Sequence, residues 1–102
     1  MSDNRRSATR HDVDVPCTFS DGASPTPNET RISNLSIGGA FVVVPRLPMG
    51  QRVQLRFRVP TQEEAISTGA VVRWATDQGV GVQFDGLRPK DVWALSRYFE
   101  TL

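Results

Sequence analysis

Apolar residues recur at every second position over several short stretches of this chain. Val13, Val15, Cys17 and Phe19 share one face, the period-two alternation of an amphipathic strand. The run Asp21-Gly22-Ala23-Ser24-Pro25-Thr26-Pro27-Asn28 is dense in breakers and reads as a loop. A second strand is predicted from Glu29 to about Leu35. Gly38-Gly39 then turns or kinks the chain into a third, apolar strand from Ala40 to Val44, closed by Pro45, Pro48 and Gly50. Val53, Leu55, Phe57 and Val59 alternate with Gln54, Arg56 and Arg58 until Pro60 stops the run. A fifth strand from about Ala65 to Trp74 carries Ala70, Val72 and Trp74 on one face. Asp77-Gln78-Gly79 turns it into a sixth, with Val80, Val82 and Phe84 alternating.

The period then changes. Val92, Leu95, Phe99 and Leu102 fall on one helical stripe, and Pro89 stands where a first-turn proline is tolerated. Trp93 and Tyr98 flank the stripe, so the helix is expected to cover an open end or side of the sheet. These elements predict an all-β fold, a six-stranded antiparallel β-barrel with a C-terminal α-helix. No internal repeat and no second domain show in the pattern. Residues 1–11 are polar without period and are predicted to form a flexible, arginine-bearing arm ahead of a single domain at 12–102.

A chain of 102 residues has room for one modest core, and 38% hydrophobic content suits strands with one face in water. Lys plus Arg is 12 against 11 Asp plus Glu, a net charge of +1 that lends no support to nonspecific nucleic-acid binding. Lys90 is the only lysine, so the other eleven of those basic residues are arginine, the residue suited to planar, bidentate anion recognition. Cys17 and His11 are single, which leaves no intrachain disulfide and no metal-ligand spacing. Cys17 reads as a small buried hydrophobe and His11 as exposed and uninvolved. No apolar run approaches the length of a bilayer span, and the arginine-rich start is not a secretory signal. The expected compartment is the cytoplasm of a prokaryotic cell.

Two polar signatures carry candidate chemistry. Arg5, Arg6 and Arg10 put three guanidinium groups on the arm. Each can make a charge-assisted bond to phosphate contributing roughly 1.5–3 kcal/mol, or stack on a base for about 0.5–2 kcal/mol. Ordering the arm costs roughly 1–2 kcal/mol per residue, so most of the arginines must engage. Asn34, Ser36 and Gly39 form the second signature. Asn34 and Ser36, two apart, are expected on one strand face. They can meet a purine edge and a phosphate, with Gly39 leaving backbone open to a ligand. The same residues also make an ordinary turn or bulge. Trp74 is open to two readings, stacking on a base or packing in the core.

The order Arg-Arg-x-x-x-Arg, then Asn-x-Ser-x-x-Gly, resembles the paired signature of PilZ domains. The likeness extends to the strands Gly69-Ala70-Val71-Val72-Arg73-Trp74 and Gly79-Val80-Gly81-Val82-Gln83-Phe84 before a terminal helix. It implies a PilZ-type barrel over residues 12–102 that binds cyclic di-GMP on its outer surface. By that resemblance Arg5, Arg6 and Arg10 would clamp phosphates and stack on guanine, while Asn34, Ser36 and Gly39 would meet the base. Asn34 stands where the family commonly has Asp. Arg5, directly before the Arg6-to-Arg10 motif, is similar to members that hold two stacked ligand molecules.

The leading expectation is a receptor that orders its arm on binding and signals through an unidentified effector protein. The output would lie among motility, surface polysaccharide or virulence control. The alternative is a PilZ-like adaptor that binds no nucleotide. A barrel for single-stranded nucleic acid ranks behind both. No catalytic constellation is visible, and neither a cofactor beyond the ligand nor membrane insertion is expected.

Overall fold

A computed structural model describes residues 10–20, 28–45 and 47–102. Six strands appear: β1 (His11–Ser20), β2 (Asn28–Leu35), β3 (Gly39–Val42), β4 (Arg52–Phe57), β5 (Ile66–Ala75) and β6 (Val80–Phe84). They close into a barrel in the order β1-β2-β3-β6-β5-β4, every neighbouring pair antiparallel. Closure removes the unpaired strand edges that would invite aggregation.

The alternation read from sequence sets the inward faces. In β4, Val53, Leu55 and Phe57 are buried while Arg52, Gln54 and Arg56 are exposed. Val15, Cys17 and Phe19 of β1 meet Ile32 and Leu35 of β2 and Ile66, Ala70 and Val72 of β5 in one core. Each fully buried Val, Leu or Ile stabilises the fold by about 1.5–3 kcal/mol. Thr68 is the polar residue at an inward position; its hydroxyl donates to Gly69 O at 2.9 Å and accepts from Gly86 N–H at 3.1 Å.

Helix α1 (Pro89–Glu100) covers the barrel, with Ala94 and Leu95 fully buried. Its first turn is held by Asp91, which is also fully buried. Asp91 Oδ2 accepts the Arg88 backbone N–H at 3.2 Å and Arg88 Nε at 3.1 Å. Asp91 Oδ1 accepts Arg88 Nη2 at 3.3 Å and Gln62 Nε2 at 3.4 Å. Burial pushes this carboxyl up, but the hydrogen bonds from Arg88 and Gln62 outweigh it and hold it below its usual value. Thr61 Oγ1 donates to Ala94 O at 2.7 Å and ties the helix to the β4–β5 connection.

Three expectations are corrected here. Leu102 does not complete the helix stripe: the helix ends at Glu100 and Leu102 is 59% exposed. The buried stripe is centred on Asp91, Ala94 and Leu95, and a hydrophobic scan passes over its aspartate. His11 is half-buried, not exposed. It opens β1, two residues before Val13, and its ring stacks on Phe99 with centroids 4.2 Å apart. Trp74 does not share the inward face of Ala70 and Val72. The register of β5 on β6 shifts between Val72↔Val82 and Trp74↔Gly81, so Arg73 is an extra residue and Trp74 emerges on the outer surface.

The structure also holds an internal relation that the sequence pattern did not reveal. In β2–β3 the partners are Ile32↔Val42, Asn34↔Phe41 and Leu35↔Ala40; adding 40 gives Val72↔Val82, Trp74↔Gly81 and Ala75↔Val80 of β5–β6. Both hairpins carry the same one-residue shift at the same place. Their turns match as well. Ser36 N–H donates to Gly39 O and Thr76 N–H to Gly79 O, each at 2.8 Å. A Cβ on Gly39 would run into Val82 O, and one on Gly79 into Val42 O. The hairpins are thus related by a local twofold between the paired residues Phe41 and Gly81 of β3 and β6. Between the segments 32–42 and 72–82 only Gly39/Gly79 and Val42/Val82 are identical.

Candidate functional site

Three register shifts fall on one side of the barrel: on β1 between Asp12 and Val15, on β2 between Ile32 and Asn34, and on β5 between Val72 and Trp74. A bulge turns the following side chain to the opposite face. Their common result is an outward cluster in which polar and aromatic groups replace the core pattern. A shallow cavity of about 370 Å³ lies there, lined by Arg10, Asp12, Asn34, Phe41, Trp74 and Gln78.

Arg10 organises this surface. Its Nη1 donates to Asn34 Oδ1 at 2.8 Å, and its guanidinium carbon lies 4.9 Å from the centre of the Trp74 ring. One guanidinium therefore bonds the polar signature of β2 and approaches an aromatic face on β5. Trp74 is 38% exposed, because it lies over Gly81 instead of entering the core. A Cβ at Gly81 would fall inside the indole, at Cε2 and Cζ2. Phe41, paired with both Asn34 and Gly81, lies between the two hairpins.

Ser36 and Gly39 are positioned differently from Asn34. β2 ends at Leu35, so the two-residue spacing no longer keeps Asn34 and Ser36 on one face. Ser36 is buried; its Oγ accepts Gly38 N–H at 3.2 Å and Gly39 N–H at 3.1 Å and donates to Gly39 O at 3.3 Å. Gly39 is buried against Val82. Both fix the turn that follows Asn34, and the site's open face is made by Arg10, Asn34 and Trp74. Arg5 and Arg6, with most of the expected arm, lie outside the described residues.

Phe41, Gln78 and Gly81 were not singled out from sequence. Glycine between two buried valines in Val80-Gly81-Val82 was the available signal, since an outward glycine in a strand marks close approach by another group. Among the described residues no group of three or more His, Cys, Asp or Glu could hold a metal ion. No described helix is long and apolar enough to cross a membrane. Cys17 is buried, and desolvation pushes its thiol up to about 11.

Comparison with known proteins gives a consistent picture. No curated protein matches the chain. Among solved structures it is similar to MotI/DgrA, an inhibitor of motility from Bacillus subtilis, with a TM-score of 0.72 and 20% identity. That match covers 89% of this chain and 50% of MotI/DgrA, so the chain spans half the length of that protein. It is also similar to the PilZ domain of CeSA from a cellulose-synthesizing bacterium. There the TM-score is 0.69 and the identity 16%, over 91% of this chain and 97% of the other. At these identities the likeness establishes the fold. The family model for the PilZ domain matches residues 4–101, from before Arg5 to the end of the helix, and the chain belongs to the PilZ domain family.

Proposed function

We propose that the protein is a receptor for cyclic di-GMP that passes its signal to a partner protein by contact. The observation that carries this reading is the double engagement of Arg10 with Asn34 and the Trp74 ring. A cyclic purine dinucleotide offers two phosphates and two flat bases. Guanidinium forks suit the first, and the guanidinium and indole surfaces offered side by side suit the second. Asn34 keeps its Nδ2 amide for a base edge while Oδ1 orients Arg10.

Arg5 and Arg6 would supply the remaining cationic groups by closing over the ligand, and that closure would change the surface offered to the partner. A ligand shifts such an equilibrium only by its differential affinity for the two states. MotI/DgrA, a structural neighbour, is an inhibitor of motility, which makes the motility machinery a first class of partner to test.

Calorimetric titration with cyclic di-GMP tests the reading. The parent is expected to bind with one or two ligands per chain, and Arg6→Ala and Arg10→Ala to abolish binding while remaining folded. Absence of binding by the parent would favour an adaptor that works through protein contacts alone.

A further inference from the structure

The twofold relation between the hairpins gives the Asn34–Gly39 signature a counterpart in Trp74–Gly79, with Thr76 in the place of Ser36. The Thr76 hydroxyl accepts Gln78 N–H at 3.0 Å and Gly79 N–H at 3.2 Å, and donates to Gly79 O at 3.2 Å. A Cβ at Gly79 would lie 2.9 Å from Phe41 Cε2, so the turn is seated closely on the ring at the centre of the site. The backbone carrying Gln78 is thereby fixed at the rim of the cavity that Arg10, Asn34 and Trp74 also line.

We propose that this second turn is a recognition element of the same site, and that Gln78 contacts the edge of the base stacked on Trp74. The inference rests on the cyclic dinucleotide reading above. A primary carboxamide carries two donors and an acceptor, and so matches a purine edge presenting a donor beside an acceptor. Gln78 is exposed and bonds the turn through its backbone N–H, so its side chain is not needed to build the turn. Asn34 on one hairpin and Gln78 on the other then offer amides from both sides of the local twofold. The ligand class is a cyclic dinucleotide with purine bases.

The test is a set of calorimetric titrations of the full chain with cyclic di-GMP and with cyclic di-inosine monophosphate, which lacks the 2-amino donor. Parent binding to cyclic di-GMP is the control; if it fails, the receptor reading fails and this inference with it. Given that control, Gln78→Leu is expected to bind cyclic di-GMP about three- to tenfold more weakly, the loss of one hydrogen bond. Gln78→Glu can accept from both N1–H and the 2-amino group of guanine. It is therefore expected to raise the preference for the guanine ligand over the inosine ligand relative to the parent. If Gln78→Leu titrates like the parent, or Gln78→Glu lowers both affinities by the same factor, Gln78 does not touch the base. The inference is then overturned while the receptor reading stands.

Discussion

The indole of Trp74 occupies the space that a side chain at residue 81 would fill, so the aromatic face of the site exists only because Gly81 has none. The pair is set by the bulge at Arg73, which carries Trp74 from the inward to the outward face opposite Gly81. Packing of this kind gives a precise test. Gly81→Ala must displace the ring, and stacking of a base on an aromatic side chain contributes about 1–3 kcal/mol. Ligand affinity is expected to fall by that amount while circular dichroism stays that of the parent, since the displaced ring can move into solvent.

Trp74 itself gives an optical readout. Trp93 lies on the exposed face of α1 against Arg97 and would confuse the signal, so Trp93→Phe is the working background. In that background, cyclic di-GMP is expected to quench the Trp74 emission. Trp74→Phe should retain most of the affinity and Trp74→Ala should lose about 1–3 kcal/mol of it. Equal affinities for all three proteins, measured by calorimetry, would remove Trp74 from the site.

Arg10 bonds Asn34 and lies against the Trp74 ring with one guanidinium, a double role that the point charge of lysine does not copy. Arg10→Lys keeps the charge but loses the Nη1 bond to Asn34 and the guanidinium contact with the Trp74 ring. Binding is expected to weaken by roughly 1.5–3 kcal/mol, the size of a charge-assisted hydrogen bond, with the melting temperature little changed. Retention of parent affinity by the lysine variant would mean that charge alone suffices.

Acid stability should depend on Asp91. Its carboxyl is held below the usual value in the fold, so over that interval the unfolded chain binds more protons than the native one. The contribution is therefore complete above the unfolded value of about 3.9 and is lost as pH falls through the lower native value. Chemical denaturation between pH 2 and 7 should show stability falling at the acid end in the parent. Asp91→Asn is expected to be about 1–3 kcal/mol less stable at neutral pH, with a flatter acid limb. An unchanged acid limb in Asp91→Asn would show that the helix start does not depend on the carboxylate.

The Cys17 thiol should be inert in the native state, because burial raises it to about 11 and the thiolate is the reactive form. At pH 8, labelling by an aromatic disulfide reagent is expected to follow the rate of unfolding. Fast labelling of the native protein would place Cys17 at the surface.

Much of this architecture can be read from apolar spacing alone. The buried residues Val15, Cys17 and Phe19 of β1 and Val53, Leu55 and Phe57 of β4 follow strict alternation, and Leu95 with Phe99 discloses the helix. Arg10 and Asn34 are visible as motif residues, and the structure brings them within a hydrogen bond. What escapes is the consequence of single-residue shifts. A bulge at Arg73 or Ser33 leaves no mark in composition, yet each decides which face Trp74 or Asn34 occupies. Ser36 escapes for a related reason, because the strand stops one residue before it and alternation no longer applies. Asp91 is buried through its hydrogen bonds, which an apolar scan does not register. The twofold between the hairpins is a matter of register, and register survives where sequence identity does not.

The most direct test of the account is amide and indole chemical-shift mapping of the full chain by NMR during titration with cyclic di-GMP. Shifts concentrated at Asn34, Phe41, Gly79, Gly81 and the Trp74 indole, and absent from Arg56 on the exposed face of β4 and from Arg58 just beyond it, are the predicted result. Shifts concentrated at Arg56 and Arg58, with Asn34 and Trp74 unmoved at saturation, would contradict it.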